Sequence, residues 1–407
     1  MPKIPIGEKE SVGMVGAYTI REIPMPIQLE ISQGLTLISE DGTAKPGLAK
    51  SWKIKDEGKV YEFYLKDNIR FTDGSKFTSN TIDYLFSNVE IKRTNPLTIT
   101  FKLKESYSPF LITASQPIFK KGFVGTGRYK VKDIKLNGEF IKSITLISAN
   151  NPFKTKTYYF YPSQEALKIA FALGEVSKAI GLLDTNFQNT RLQSFKNVKA
   201  SKKTNHQRIA TLFYNTRDGV LSDTKLRNAL TYSIPDSFEE GERNYSPFPH
   251  NSWAYSQGVN ERKQDIVRAR ELLSQSLTAT KSGELAISLK TLQRYENTAK
   301  EIMGIWKTVG VKAEIEVVES VPETFQVFLG DFRVPRDPDQ YVLWHKDQEN
   351  NITRYNNLRI DKLLEDGRKT SDLSERKKIY ADFEKYLLAD SPASFLYSPY
   401  EYEIERR

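Results

Sequence analysis

Residues 330–351, GDFRVPRDPDQYVLWHKDQENN, place Asp331, Asp337 and Asp339 beside two prolines, a tyrosine and a tryptophan, in a stretch with neither helical nor strand periodicity. Carboxylates this close could form a metal loop, a catalytic cluster or the polar lining of a ligand site. A calcium loop needs a glycine and a distal glutamate in register. Asp337 and Asp339 instead flank Pro338, and no such pair follows. Asp337-Pro338 alone reads as a capped turn.

The three histidines, His206, His250 and His345, lie far apart and there is no cysteine, so a zinc or nickel site built from protein ligands is not expected. Cysteine-free chains also have no disulfides and no thiolate nucleophile. There is no G-x-x-x-x-G-K-[ST] loop, no G-x-G-x-x-G after a strand and no G-x-S-x-G elbow; the GTG at 125–127 is too short to count. A glycosidase-like carboxylate pair stays open at this point, because sequence does not measure the separation of two carboxylates. The chain reads as a non-enzyme without a cofactor.

Something must position these groups. With 407 residues, 39% hydrophobic and 27% charged, the chain can bury two cores of ordinary domain size. The formal net charge of +9 is spread along the chain and interleaved with acids, as in KSWKIKDEGKVYEFYLKDNIR from Lys50. That pattern is a diffusely basic, solvated surface, and nucleic acid is not an expected partner. No apolar run of 18 or more residues is present, and MPKIPIGEKESVGMVGAYTI lacks the apolar stretch of a signal peptide. Either the protein is intracellular or a leader has been removed.

Periodicity places the elements. Tyr61, Phe63 and Leu65 alternate with polar neighbours as a strand, followed by an Asp73-Gly74 turn and then Thr78 as the N-cap of a helix through Ile82, Leu85 and Phe86. Leu97, Ile99, Phe101 and Leu103 form one side of a further strand. SQEALKIAFALGEVSKAIGLL is an amphipathic helix closing near Gly174. Leu285, Ile287 and Leu289 line a strand, Ala299, Ile302, Met303, Trp306 and Val309 recur at helical spacing before Gly310, and VKAEIEVV alternates again. Strand, helix and strand of these lengths make a βαβ crossover, which lays ligand sites at strand C-terminal ends.

The segment LAKSWKIKDEGKVYEFYLKDNIRFTDGSKFTSNTIDYLFSNV resembles the family 5 extracellular solute-binding proteins, in which L-A-x-S-W leads to a strand, an F-x-D-G turn and a T-x-x-D-capped helix. These are the oligopeptide-, dipeptide- and nickel-binding receptors of ABC importers. FVGTGRY, ALGEVSKAI, LFYNTRDGVLSDTKLRNALTYSI, WAY, VGVKAEIEV, GDF…DPDQY and the run to FLY follow in the family's order, from about Leu35 to Tyr397. Arg128 and Ser177 depart from the family's proline and aspartate, and the short stretch between TYSIPDS and WAY puts the size of the pocket in doubt.

The resemblance implies an α/β type II periplasmic-binding-protein fold whose two lobes enclose a ligand cleft. A tail spans 1–18, lobe I 19–212 and lobe II 213–387, and 388–407 returns to lobe I. It implies Asp331 as the anchor for a ligand ammonium, against a turn cap or surface acid, with Asp339 undecided. Phe328, Trp344 and Tyr355 are apolar walls or core. Tyr214 and Asn215 line the hinge, unless Asn215 only caps its turn. Asn351 is a polar contact or part of a helix cap, and Ser32, Gln33 and Gly34 form a strand edge against the ligand backbone. The function implied is an extracytoplasmic, monomeric receptor that delivers peptides or a small polar ligand to ABC permease subunits and their ATPases, associated peripherally or by a lipid anchor with the membrane. A nickel or metal-chelate receptor, or a ligand-sensing module without transport, are the alternatives.

Overall fold

The computed structural model describes residues 8–256, 261–276 and 285–406. Among these, twelve strands join one large sheet, ordered 311–318, 285–292, 327–333, 208–214, 393–406, 178–182, 9–15, 155–161, 140–148 and 129–137, with 198–204 and 241–243 also pairing with 393–406. The strand Ala393–Arg406 ties the two halves together. Its first residues pair with 208–214, and its last pair with 198–204 and 178–182. A separate antiparallel sheet holds 49–55, 60–65, 98–103 and 89–95.

Alternation decides most strands. Tyr61, Phe63 and Leu65 are fully buried, as are Ile99 and Phe101 on the paired strand, and they fill one apolar cluster with Phe71, Phe77 and Phe110. Each such side chain contributes roughly 1.5–3 kcal/mol on burial. In the other half, Leu212, Tyr214, Val327 and Leu329 face one core and Phe213, Phe328 and Phe332 face a second, on the opposite side of the same strands. The crossover unit is formed as expected from its periodicity: Leu285–Leu292 and Val311–Val318 are parallel neighbours joined by the helix Glu296–Thr308, with Gly310 at φ +90° just beyond. Ser163 caps the helix Gln164–Leu173, which ends on Gly174 at φ +83°.

Two expectations are corrected. The tail assigned to 1–18 contains the strand Lys9–Val15, parallel to both Thr155–Tyr161 and Lys178–Leu182. Val12 and Gly13 are its buried residues, Val12 packed with Ile27, Ile31 and Ile144, and one buried apolar side chain beside a glycine leaves little periodic signal. The helix after Thr78 is only a 3-10 turn, Ser79–Thr81, although Thr78 and Thr81 form the capping box. Arg93 takes the carbonyls of Ser79 and Ile82 that a helix would have used. Ile82 and Tyr84 are buried while Leu85 is exposed, an alternation that suits an extended path.

Candidate functional site

The acidic stretch divides into a strand and a turn. Val327–Arg333 is a strand carrying Asp331, which lies opposite Ala210. Following Val327 and Leu329 at alternate positions, the Asp331 side chain falls on their face. Its carboxylate is almost fully buried (2%) and accepts from Arg208 Nη1 at 2.5 Å and from Arg294 Nη2. Asp337 receives both Nη atoms of Arg376, at 2.6 and 3.1 Å, and its Oδ1 also accepts from the Asp339 amide. Asp339 Oδ2 accepts from Nε and Nη2 of Arg368, at 2.9 and 2.8 Å. Burial pulls the Arg376 guanidinium down, but the Asp337 charge more than offsets it and holds the group above its ordinary value. All three carboxylates are therefore neutralised by the protein's own arginines, as buried charges must be.

Past Asp331 the sheet has an open edge. The bond from the Val334 amide to the Gln207 carbonyl (2.8 Å) sets the phase of the antiparallel ladder. Phe332, Gly330 and Phe328 exchange hydrogen bonds with 208–214, while Asp331 and Arg333 turn their N–H and C=O groups to the other side. That side is occupied by 285–292 only from Val327 to Leu329. The chain then leaves through Gln293–Tyr295 into the helix Glu296–Thr308, and Arg294 stands where the neighbouring strand stopped.

This edge opens on a cleft of about 560 Å³, a size usual for small-molecule sites, roughly 300–1,000 Å³. Met14, Val15 and Ile180 line it from one half and Arg294, Tyr295 and Arg333 from the other, with residues of the crossing strands between them. The lining thus gathers at the C-terminal ends of the parallel strands in both halves, the position at which open α/β sheets bind ligands. Arg208 and Arg294 are each about one third exposed (32%). Burial lowers the Arg294 guanidinium from its ordinary value, and the Arg208 charge adds to this.

A second cleft, of about 690 Å³, lies between Ser39–Gly42 and residues 334–338, also bordered by Lys203–Gln207. There the halves touch. The Trp253 amide donates to the Asp41 carbonyl (2.9 Å) and Asn251 Nδ2 to the Glu40 carbonyl (2.8 Å). Further along, the Ser108 amide donates to the Arg368 carbonyl (2.8 Å) and its hydroxyl to the Gly367 carbonyl (3.0 Å).

The residues singled out from sequence are distributed unevenly around these features. Phe328 and Trp344 meet, with Asp331, Phe213 and Phe332, around a small apolar cavity of about 180 Å³. Trp344 Nε1 donates to Gln340 Oε1 (2.8 Å), and Phe328 stacks on Phe213 at 6.1 Å. Asn351 braces its own loop, donating to the Tyr355 carbonyl (2.8 Å) and accepting from the Thr353 hydroxyl (2.8 Å). Tyr355 donates to Asp390 Oδ2 (2.6 Å), and burial with this carboxylate raises its phenol. The Tyr214 hydroxyl is buried against Ser394 Oγ (2.8 Å), and burial pushes it up to about 12. Asn215 accepts from the Arg217 amide (3.1 Å) and donates to the Phe325 carbonyl (3.0 Å). Ser32 donates to the Ile118 carbonyl, the Gln33 carbonyl accepts from the Ile118 amide (3.0 Å), and Gly34 packs on the backbone of Ala114 and Ser115.

Arg208, Arg294 and Arg333 were not singled out. Each had a readable sign: Arg208 is the one charge of the strand RIATLFY, Arg333 ends the strand VFLGDFR two residues after Asp331, and Arg294 is the first charge after a strand of the βαβ unit.

Comparison with known proteins agrees with this architecture. Residues 43–89 and 83–352 match the family model described as bacterial extracellular solute-binding proteins, family 5 Middle. The oligopeptide-binding protein AppA of Bacillus subtilis is 22% identical over 94% of this chain and 83% of its own length. The nickel-binding protein NikA of Staphylococcus aureus is 23% identical over 92% and 84%. The crystal structure of the ABC transporter substrate binding protein CtaP of Listeria monocytogenes superposes with a TM-score of 0.83 at 19% identity, covering 98% of this chain and 94% of that one. With the family model matching most of its length and the fold shared with solved binding proteins, the chain belongs to the bacterial extracellular solute-binding proteins of family 5 and has their type II periplasmic-binding-protein fold.

Proposed function

We propose that this protein is the non-enzymatic substrate-binding receptor of an ABC importer, that it works outside the cytoplasmic membrane, and that its ligands are peptides bound between two lobes. The observation that carries this reading is the open strand edge at Asp331 and Arg333, whose Arg333 end lines the 560 Å³ cleft. An extended peptide can continue the sheet there, so that main-chain hydrogen bonds supply affinity without reading side chains. The apolar cavity around Phe328 and Trp344 adjoins the same strand and suits an uncharged ligand side chain. The oligopeptide-binding name of the Bacillus relative points the same way.

The lobes of this reading are 8–204 with the end of Ala393–Arg406, and 208–392. Closure of one on the other presents a surface to the permease. Asn251, Trp253 and Ser108 already make contacts of that kind. A leader or lipid anchor that holds the receptor at the membrane belongs to the same proposal. A nickel ligand would have to arrive with its own chelator, since among the described residues no group of three His, Asp or Glu side chains could hold a metal.

Native mass spectrometry of the purified protein tests the reading. Heterogeneous co-purified masses in the peptide range are expected. A ligand-free protein that ignores peptide libraries refutes it.

A further inference from the structure

The small four-stranded sheet meets the second half of the chain through a polar contact. No apolar cluster among the described residues joins the two: the cluster around Tyr61 and Phe101 draws its members from 35–124, and the one around Phe328 and Trp344 from 209–395. Ser108, just beyond the sheet and 8% exposed, supplies hydrogen bonds across the gap. The helix Leu358–Lys369 ends, as helices do, in carbonyls without a partner inside the helix. The Arg368 carbonyl accepts from the Ser108 amide (2.8 Å) and hydroxyl (3.0 Å), its partners among the described residues. The Gly367 carbonyl accepts from the same hydroxyl (3.0 Å) and from Arg376 Nε (2.9 Å).

Each side of this contact is braced by its own half. On the sheet side, Tyr61 Oη donates to the Tyr107 carbonyl (3.0 Å) and Ser106 Oγ to the Glu57 carbonyl (2.7 Å). On the helix side, Asp337 holds Arg376 and Asp339 holds Arg368, whose guanidinium also lies over the Tyr341 ring (4.1 Å).

We propose that Ser108 is a latch. When the lobes close, it caps the C-terminal end of the helix Leu358–Lys369 from the opposite lobe, and so sets the ratio of closed to open receptor without touching the ligand. The inference rests on the two-lobe receptor reading above and adds a residue that lines neither cleft. A polar contact of this kind separates at small cost, because water replaces its hydrogen bonds, and domain interfaces built this way permit relative motion. A ligand enclosed between the lobes binds the closed form, so its apparent affinity scales with the closed fraction. Asp337 and Asp339 then have a role away from the ligand: they fix the arginines that shape the receiving helix end.

The chain has no cysteine, so Thr94→Cys on the sheet and Lys377→Cys on the helix Leu373–Asp390, both exposed, give two sites for nitroxide labels on the full chain. Pulsed electron double resonance without ligand reads the distance across the contact, independently of what the receptor binds. The labelled protein should show a short, closed distance. Ser108→Ala removes the hydroxyl bonds and keeps the amide, and should raise the ratio of long to short distances by about two- to tenfold. Ser108→Trp overfills the contact and should show the long distance only.

A labelled protein with the long distance only, an unchanged ratio in Ser108→Ala, or the short distance retained in Ser108→Trp overturns the latch and leaves the receptor reading standing. If Ser108→Trp loses its cooperative melt, the ratio in Ser108→Ala decides. Native spectra without peptide masses count against the peptide reading and leave the distances as the test of the latch.

Discussion

Glu384 sits on the helix Leu373–Asp390, 1% exposed, among Tyr380, Phe383, Leu387 and Leu388, and its Oε2 has no hydrogen-bond partner. Burial pushes its carboxyl up to about 7 from an ordinary 4.5, with Ser246 and Ser256 pulling the other way without reversing the shift. A carboxyl raised on folding is protonated in both states below 4.5, so no penalty exists there. Between 4.5 and about 7 the folded protein holds a proton that the unfolded chain releases, and stability falls as pH rises. Above about 7 the folded state carries the full burden of a buried, half-satisfied charge. At about 1.36 kcal/mol per pH unit, the gap amounts to about 3 kcal/mol. Glu384→Gln removes the charge while keeping the shape. Urea unfolding of both proteins from pH 5 to pH 8 is the assay, read as the difference between them in the transition that unfolds the helix Leu373–Asp390. The variant should exceed the wild type by under about 1 kcal/mol at pH 5 and by about 3 kcal/mol at pH 8. A difference that does not grow with pH, or a variant less stable than the wild type at pH 8, refutes the reasoning.

Two further variants test the packing that holds the site. Arg376→Gln leaves Asp337 buried with its bidentate partner gone, and should lower stability by about 3–5 kcal/mol in urea unfolding; recovery on adding Asp337→Asn would identify the stranded charge as the cause. Gly125→Ala should cost about 1–3 kcal/mol, because the added carbon would lie 2.1 Å from the Ile31 carbonyl oxygen and 2.7 Å from Ser32 Cβ, at the end of the helix Met25–Ile31. A thermal melt unchanged from the wild type would show that this backbone can move apart.

Residues whose burial repeats with the period of their own element could be read before the structure was known. Tyr61, Phe63 and Leu65 on a strand, or Ala299, Ile302 and Trp306 on a helix, carry their environment in their spacing. Ser163 and Gly174 mark a helix because capping is chemistry of adjacent backbone. Charge compensation has no such local trace. Asp331 meets Arg208 from 123 positions away and Arg294 from 37, and Asp337 meets Arg376 from 39. In sequence, three aspartates in nine residues look like a surplus of negative charge seeking a cation from outside. Folding brings an arginine to each of them, and to Asp331 it brings two. The partner of each of these carboxylates is therefore supplied by an element distant in sequence, and local spacing carries no record of it.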